Sequence, residues 1–251
     1  MTTTDPNGRF CWHELHTTDV RKAVRFYGEL LGWKAREESM GPGGTYTILS
    51  IGDRDVGGAT VAAGAAPHWL PYAVATSIDA TLRKAAELGA KVEVPGTDIP
   101  NVGRFAIFRD SEGARLGLLQ PAQLQPETDA RPPVGTFCWT ELMAADRARA
   151  TSFYRSLLGY QVDQKDMGPS GKYDVLLRGT VQTGGIMKSP APGAPAAWLS
   201  YVAVDGVDAA AQRAERLGGK VMAPPTDIPG IGRFSVVLDP DGAAIAVFKG
   251  A

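Results

Sequence analysis

The sequence predicts an α+β chain made of two tandem copies, each built from two βαβββ modules. Three observations predict it. Cys11-Trp12-His13-Glu14-Leu15 returns as Cys138-Trp139-Thr140-Glu141-Leu142, an offset of 127 that also carries Phe26, Tyr27, Gly32 and Gly58 onto Phe153, Tyr154, Gly159 and Gly185. Farther on, Trp69, Tyr72, Asp79, Gly89, Asp98, Arg104 and Asp110 recur as Trp198, Tyr201, Asp208, Gly218, Asp227, Arg233 and Asp239, now at an offset of 129. The later copy therefore has extra residues, which fall in the proline-rich stretch Ser189–Pro195, a loop composition. Finally, the order strand, Asp, helix, three strands occurs twice within each copy.

Phe10 to His16 reads as an aromatic-rich strand. Thr18 or Asp19 caps a helix from Val20 to Leu31, whose apolar stripe is Ala23, Phe26, Tyr27 and Leu30 and whose stop is Gly32. Strands at Trp33–Met40, Tyr46–Ile51 and Val56–Val61 follow, parted by Gly-Pro-Gly-Gly at 41–44 and by the turn Gly52-Asp53-Arg54-Asp55. The plan then restarts with a strand at Tyr72–Ser77. Asp79 caps a helix that runs to Leu88 and stops at Gly89. Strands at Lys91–Val94, Phe105–Arg109 and Leu116–Leu119 complete the copy. Domain boundaries of 8–120 and 134–250 follow, joined by a linker at 121–133 that has no apolar period and holds Pro121, Pro126, Pro132 and Pro133.

At 251 residues the chain is long enough for two cores, and a formal net charge of −1 without like-charge blocks argues against nucleic acid or an anionic membrane as partner. No apolar run reaches the roughly 18 residues of a membrane span, and Met1–Gly8 lacks the apolar stretch of a signal peptide, so a cytoplasmic location is expected. Cys11 and Cys138 stand at one position in the two copies, which reads as two buried thiols rather than a disulfide framework.

The helix ending in Phe26-Tyr27 or Phe153-Tyr154, the Leu-Gly-aromatic sequence after it, and the late Asp239-Pro240-Asp241-Gly242 turn together resemble the vicinal oxygen chelate superfamily. The equivalent turn reads as degraded in the first copy, Asp110-Ser111-Glu112-Gly113. That group includes glyoxalase I, extradiol dioxygenases and the fosfomycin and bleomycin resistance proteins. More narrowly, Cys-Trp-x-Glu-Leu, Trp-Leu-x-Tyr and Thr-Asp-Ile-Pro-x-x-Gly-Arg-Phe resemble tandem glyoxalase-like or hydroxylase-like members. The resemblance implies a cupped, barrel-like mixed sheet with helices outside, in either a monomer with an internal pseudo-twofold or a homodimer.

The resemblance also implies where a metal would be held. Its three ligand positions correspond to Trp12, Pro71 and Gly117 in the first copy and to Trp139, Ser200 and Ala246 in the second. None is a residue of the His or carboxylate type that a hard or borderline cation requires, so no family-type metal and no cofactor are expected. Strand alternation puts Glu14 and His16 on the side of Trp12, and Glu141 and Met143 on the side of Trp139. Glu14 and Glu141 are either structural carboxylates or anchors and general bases in an apolar cavity, where burial raises a carboxyl pKa. His16 beside Glu14 supplies too few donors for a metal, while His13 on the opposite face and His68 in a loop read as structural or surface residues. Trp12, Trp69 and Phe105, with Trp139, Trp198 and Phe234, are expected to line the cavities or their mouths. Met40, Tyr46, Met167 and Tyr173 are expected at the rims. Arg104 and Asp98, like Arg233 and Asp227, read as loop clamps or as contacts to an anionic ligand group. The expected partner is an apolar or aromatic small molecule. The alternatives are a metal-independent lyase, isomerase or hydroxylase-like enzyme, a metalloenzyme with a relocated site, and an interaction protein.

Overall fold

A computed structural model describes residues 5–40, 44–62, 64–124 and 131–251. The predicted turn at 41–43 and linker residues 125–130 lie outside the described residues. The first copy runs β1 (Phe10–Thr17), α1 (Val20–Leu31), β2 (Lys34–Ser39), β3 (Thr45–Ile51), β4 (Arg54–Val61), β5 (His68–Val74), α2 (Ile78–Glu87), β6 (Lys91–Ile99), β7 (Gly103–Arg109) and β8 (Arg115–Pro121). The second runs β9 (Phe137–Ala144), α3 (Arg147–Leu158), β10 (Gln161–Asp166), β11 (Lys172–Arg178), β12 (Val181–Lys188), β13 (Ala197–Ala203), α4 (Val207–Arg216), β14 (Lys220–Ile228), β15 (Gly232–Leu238) and β16 (Ala244–Gly250).

Each copy forms one eight-stranded mixed sheet, cupped but not closed. The orders are β2-β3-β4-β1-β5-β8-β7-β6 and β10-β11-β12-β9-β13-β16-β15-β14. The strand pairs β1/β4 and β5/β8 are parallel, and the hairpins beside them are antiparallel.

Compactness follows a different division. One unit joins Met1–Cys11 and Pro71–Thr128 to Trp139–Trp198, and the other joins Trp12–Leu70 to Asp129–Cys138 and Leu199–Ala251. In the first unit α2 meets α3 over a core that includes Phe108, Leu116, Leu142 and Tyr154. In the second, α1 meets α4 over Leu15, Tyr27, Leu49 and Val237.

Local chemistry explains the elements. Asp19 is extended and accepts the Lys22 amide at 3.0 Å, so it, not Thr18, is the cap of α1. Ala23, Phe26, Tyr27 and Leu30 share one buried face, and Gly32 closes the helix at φ 77. Three sequence expectations are corrected. Ser77, not Asp79, caps α2: Ser77 is extended and its hydroxyl accepts the Ala80 amide, while Asp79 already lies in the first turn and binds Arg104. β5 begins at His68, so His68 lies in a strand and not in a loop. The Thr-Asp-Ile-Pro-x-x-Gly-Arg-Phe segments are the β6–β7 and β14–β15 hairpins, not loops. In them Asp98 pairs directly with Arg104 and Asp227 with Arg233. Gly103 has φ 141, and a Cβ there would stand 2.2 Å from the Gln120 carbonyl oxygen.

Candidate functional site

On β1 the residues His13, Leu15 and Thr17 are buried, and Trp12, Glu14 and His16 take the other, half-buried face. Glu14 is in register with Gly58 on β4. Tyr46 on β3 reaches across that glycine; a Cβ at Gly58 would lie 2.1 Å from the phenol oxygen. The missing side chain is what lets the ring lie flat. Trp12 Nε1 donates to Tyr46 Oη at 3.0 Å, and Tyr46 Oη donates to Glu14 Oε2 at 2.8 Å. Burial first, and the Glu14 charge second, push the Tyr46 phenol well up, so it stays a donor. His16 Nε2 lies 2.8 Å from Glu14 Oε1, out of line for a good hydrogen bond. Its ring stacks on His68 with centroids 4.7 Å apart and planes 12° from parallel.

The second copy repeats the trio in altered surroundings. Trp139 Nε1 donates to Tyr173 Oη at 2.7 Å, and Tyr173 is hydrogen-bonded to Glu141. Gly185, in register with Glu141, again makes room, since a Cβ there would be 2.0 Å from Tyr173 Oη. Glu141 is buried where Glu14 is half-buried. Met143, the counterpart of His16, is in register with Met187, and Ala197 stands where the first copy has His68.

Residues 11–118 and 136–247 both match the Glyoxalase/Bleomycin resistance protein/Dioxygenase superfamily. The chain belongs to this superfamily. A Mycobacterium bovis protein with the provisional name glyoxylase CFP32 is 36% identical over 253 residues, covering 96% of this chain and 94% of that protein. The anthracycline biosynthesis protein DnrV of Streptomyces peucetius is 30% identical over 260 residues, with 96% and 93% covered. Among solved structures, the Mn(II)-bound glyoxalase of Novosphingobium aromaticivorans superposes with a TM-score of 0.67 at 16% identity, covering 97% of this chain and 82% of that one. The 2,2',3-trihydroxybiphenyl 1,2-dioxygenase of Sphingomonas wittichii gives 0.68 at 13%, with 97% and 91% covered. Likeness at that identity shows the fold. No helix among the described residues is long and apolar enough to cross a membrane.

The superfamily's metal positions do not fit a cation here. The Trp12 indole has no lone pair to offer, and its N–H is committed to Tyr46. A side chain at Gly117 would meet the Tyr72 ring, whose Cδ1 lies 2.3 Å from the site of a Cβ. Strand parity also corrects the middle position. Tyr72 is in register with Gly117 and Tyr201 with Ala246, so these tyrosines share that face, whereas Ser200 turns to the buried His13. Among the described residues no three His, Cys, Asp or Glu side chains converge.

The other predicted residues scatter. Trp69 and Trp198, expected at a cavity mouth, are 4% and 7% exposed and belong to the cores beneath the helices. Trp69 Nε1 donates to Tyr27 Oη at 2.9 Å, and Tyr27 Oη donates to Asp239 Oδ2 at 3.1 Å. Trp198, Tyr154 and Asp110 repeat this chain at 3.2 and 2.9 Å. Met40 is 39% exposed at the end of β2, and Met167 is half-buried before a short 3-10 turn at Gly168–Ser170. Phe105 and Phe234 are half-buried on β7 and β15, and Phe234 lies 6.3 Å from Tyr201. Arg104 is bound by Asp98 and Asp79, and Arg233 by Asp227 and Asp208, which makes both arginines clamps between hairpin and helix start.

His13 is buried, stacks on Phe137 at 3.7 Å and is driven down to about 3 by desolvation. Cys11 and Cys138 are free thiols pushed up to about 12, chiefly by burial, each against a tyrosine carbonyl. Sequence reasoning missed Tyr72, Tyr201 and the buried Asp174, which Arg147, Thr151 and Gln164 bind. The repeated Tyr after Trp-Leu-x was the signal available for the first two.

Proposed function

We propose that the chain binds a planar aromatic small molecule against the Trp–Tyr–Glu walls of its cupped sheets and does so without a metal ion. The observation that carries this reading is the duplicated trio. In each copy an indole and a phenol are locked edge to edge by hydrogen bonds, and a carboxylate stands behind them. Rigid aromatic surface of this kind suits a flat apolar ring system, and the glutamate gives one acceptor for a ligand O–H or N–H. The anthracycline biosynthesis proteins among the relatives favour a polycyclic aromatic ligand over a short aliphatic one. The test is isothermal titration of the purified protein with an anthracycline and with a saturated hydrocarbon-ring control, beside elemental analysis of the same sample. Binding of the first, lost in Trp12→Ala/Trp139→Ala, is expected; stoichiometric transition metal held by the protein would overturn the metal-free part.

A second reading makes Glu14 or Glu141 the general base of a metal-independent lyase, isomerase or hydroxylase-like enzyme. The observation favouring it is the Glu14 carboxylate on the half-buried cup face, with the His16 ring nitrogen 2.8 Å away. Glu14→Gln and Glu141→Gln should then abolish turnover and spare binding.

A further inference from the structure

The two walls differ at two positions that face the ligand side, and both differences have one chemical direction. His16 stacks on His68 in the first copy, and Met143 and Ala197 hold the same places in the second. His16 lies on the face of Trp12 and Glu14, opposite the buried His13 and Leu15. Resting on the binding reading above, we infer that the first wall selects an aromatic ligand carrying an acidic hydroxyl, whereas the second wall takes the ring system alone.

The difference lies in the ring nitrogens. Ala66 O can only accept, so His68 Nδ1, 2.8 Å away, carries a hydrogen. His16 Nε2 lies 2.8 Å from the acceptor-only Glu14 carboxylate, out of line for a good hydrogen bond, but a ring lone pair held against that oxygen would be repelled, so Nε2 is the nitrogen that carries the hydrogen. On the ligand side the acceptor is therefore His16 Nδ1, with the His68 ring stacked against it. A phenolic O–H is the complement of an imidazole acceptor. Parallel stacking of the two rings presents this polar patch as an extension of the Trp12–Tyr46 surface. In the second wall the thioether of Met143, in register with Met187, offers polarisable contact and only a weak acceptor. Glu141 is more deeply buried than Glu14, which withdraws the remaining charge from the surface. A site that meets a ligand hydroxyl with a placed acceptor discriminates against the capped analogue more strongly than an apolar surface does.

The experiment compares 2-hydroxyanthraquinone with its methyl ether, 2-methoxyanthraquinone, by titration calorimetry and tryptophan quenching. The full chain is used in four forms: wild type, His16→Met/His68→Ala, Met143→His/Ala197→His, and the combination of both pairs. Wild type is expected to hold the hydroxyl probe about tenfold tighter than the ether at one site and equally at the other, the scale of one neutral hydrogen bond. His16→Met/His68→Ala should bind both probes alike at both sites. Met143→His/Ala197→His should show the preference at both, and this gain decides the matter if the loss variant folds poorly by circular dichroism. The combination should move the preference to the other site. Equal affinities for the two probes in wild type, or a preference that survives His16→Met/His68→Ala, overturns this inference and leaves aromatic binding standing. Failure of either probe to bind any form overturns the binding reading itself.

Discussion

The molecule uses one trio twice, to different ends. Trp69, Tyr27 and Asp239 form a Trp-to-Tyr-to-carboxylate chain beneath the helices, and Trp12, Tyr46 and Glu14 form the same chain on the cup face. In the first, Asp239 Oδ1 also accepts three backbone amides, from Asp241, Gly242 and Ala243, and every member is buried. In the second, an imidazole stands beside the carboxylate, and all three members are half-buried. The lesson is that a recurring constellation is not in itself a site. Solvent access and the second partner of the carboxylate separate a staple from a surface that can meet a ligand.

Substitution should separate the two trios most widely. Asp239→Ala strips three amides and a phenol of their acceptor, and is expected to cost about 3 kcal/mol, read as a lowered urea midpoint at unchanged slope. Tyr27→Phe leaves a buried carboxylate oxygen unmet, at a cost of about 1–3 kcal/mol. On the cup face Tyr46→Phe or Glu14→Gln should cost about 1 kcal/mol or less while weakening ligand binding. Equal losses of stability at the two trios, with binding untouched, would reduce the cup trio to a second staple.

The space over Gly117 is taken by the Tyr72 ring. Gly117→Ala drives a methyl into the Tyr72 ring, and overpacking of this kind costs about 1–3 kcal/mol. In a Tyr72→Ala background the same change should cost much less, and the coupling energy of the double-mutant cycle measures how fully the ring fills the space a side chain at Gly117 would take.

Two carboxylates of one turn should respond to pH in opposite directions. Desolvation raises the Asp239 carboxyl above its ordinary range, so its contribution to stability is greatest below the unfolded value of about 3.9 and declines as pH rises through the folded value. The Thr18 and Thr17 hydroxyls and the Thr18 amide hold Asp241 below that range, so its contribution is present above about 3.9 and is lost on acidification. Urea midpoints across a pH series, taken relative to Asp239→Asn and to Asp241→Asn, should therefore slope oppositely.

Much of this was legible in the sequence where the signal is local. The bounds of α1 follow from Asp19, the stripe Ala23–Phe26–Tyr27–Leu30 and Gly32, and the tandem plan follows from two constant offsets. Facing was harder. The sequence places a strand at Tyr72–Ser77 and leaves Trp69 outside it, among the aromatics expected to line a cavity or its mouth. The strand in fact starts at His68, and its tryptophan points under α1. Partners far along the chain were not legible at all: nothing near Tyr27 announces that its phenol ends on Asp239, 212 residues away. The cup trio was half visible, since alternation put Trp12 beside Glu14. The glycine that admits Tyr46 between them emerges only from sheet register.

The smallest effect concerns the turn that looked degraded. Asp110-Ser111-Glu112-Gly113 departs from Asp239-Pro240-Asp241-Gly242, yet both third residues do one job at the start of a helix. Asp241 accepts from Thr17 Oγ1, Thr18 Oγ1 and the Thr18 amide. Glu112 accepts from the Ala145 and Asp146 amides and from Arg149 Nε. Ala144 and Ala145 stand where the first copy has Thr17 and Thr18, so no hydroxyl reaches out and the longer side chain spans the gap instead. Glu112→Asp is expected to cost about 1 kcal/mol, the usual scale of a lost helix-start contact. Adding Ala145→Thr should restore part of it by bringing a hydroxyl to the shortened carboxylate. An Ala145→Thr change that gives nothing back in the Glu112→Asp background would mean that side-chain length and hydroxyl content in the two turns are unrelated.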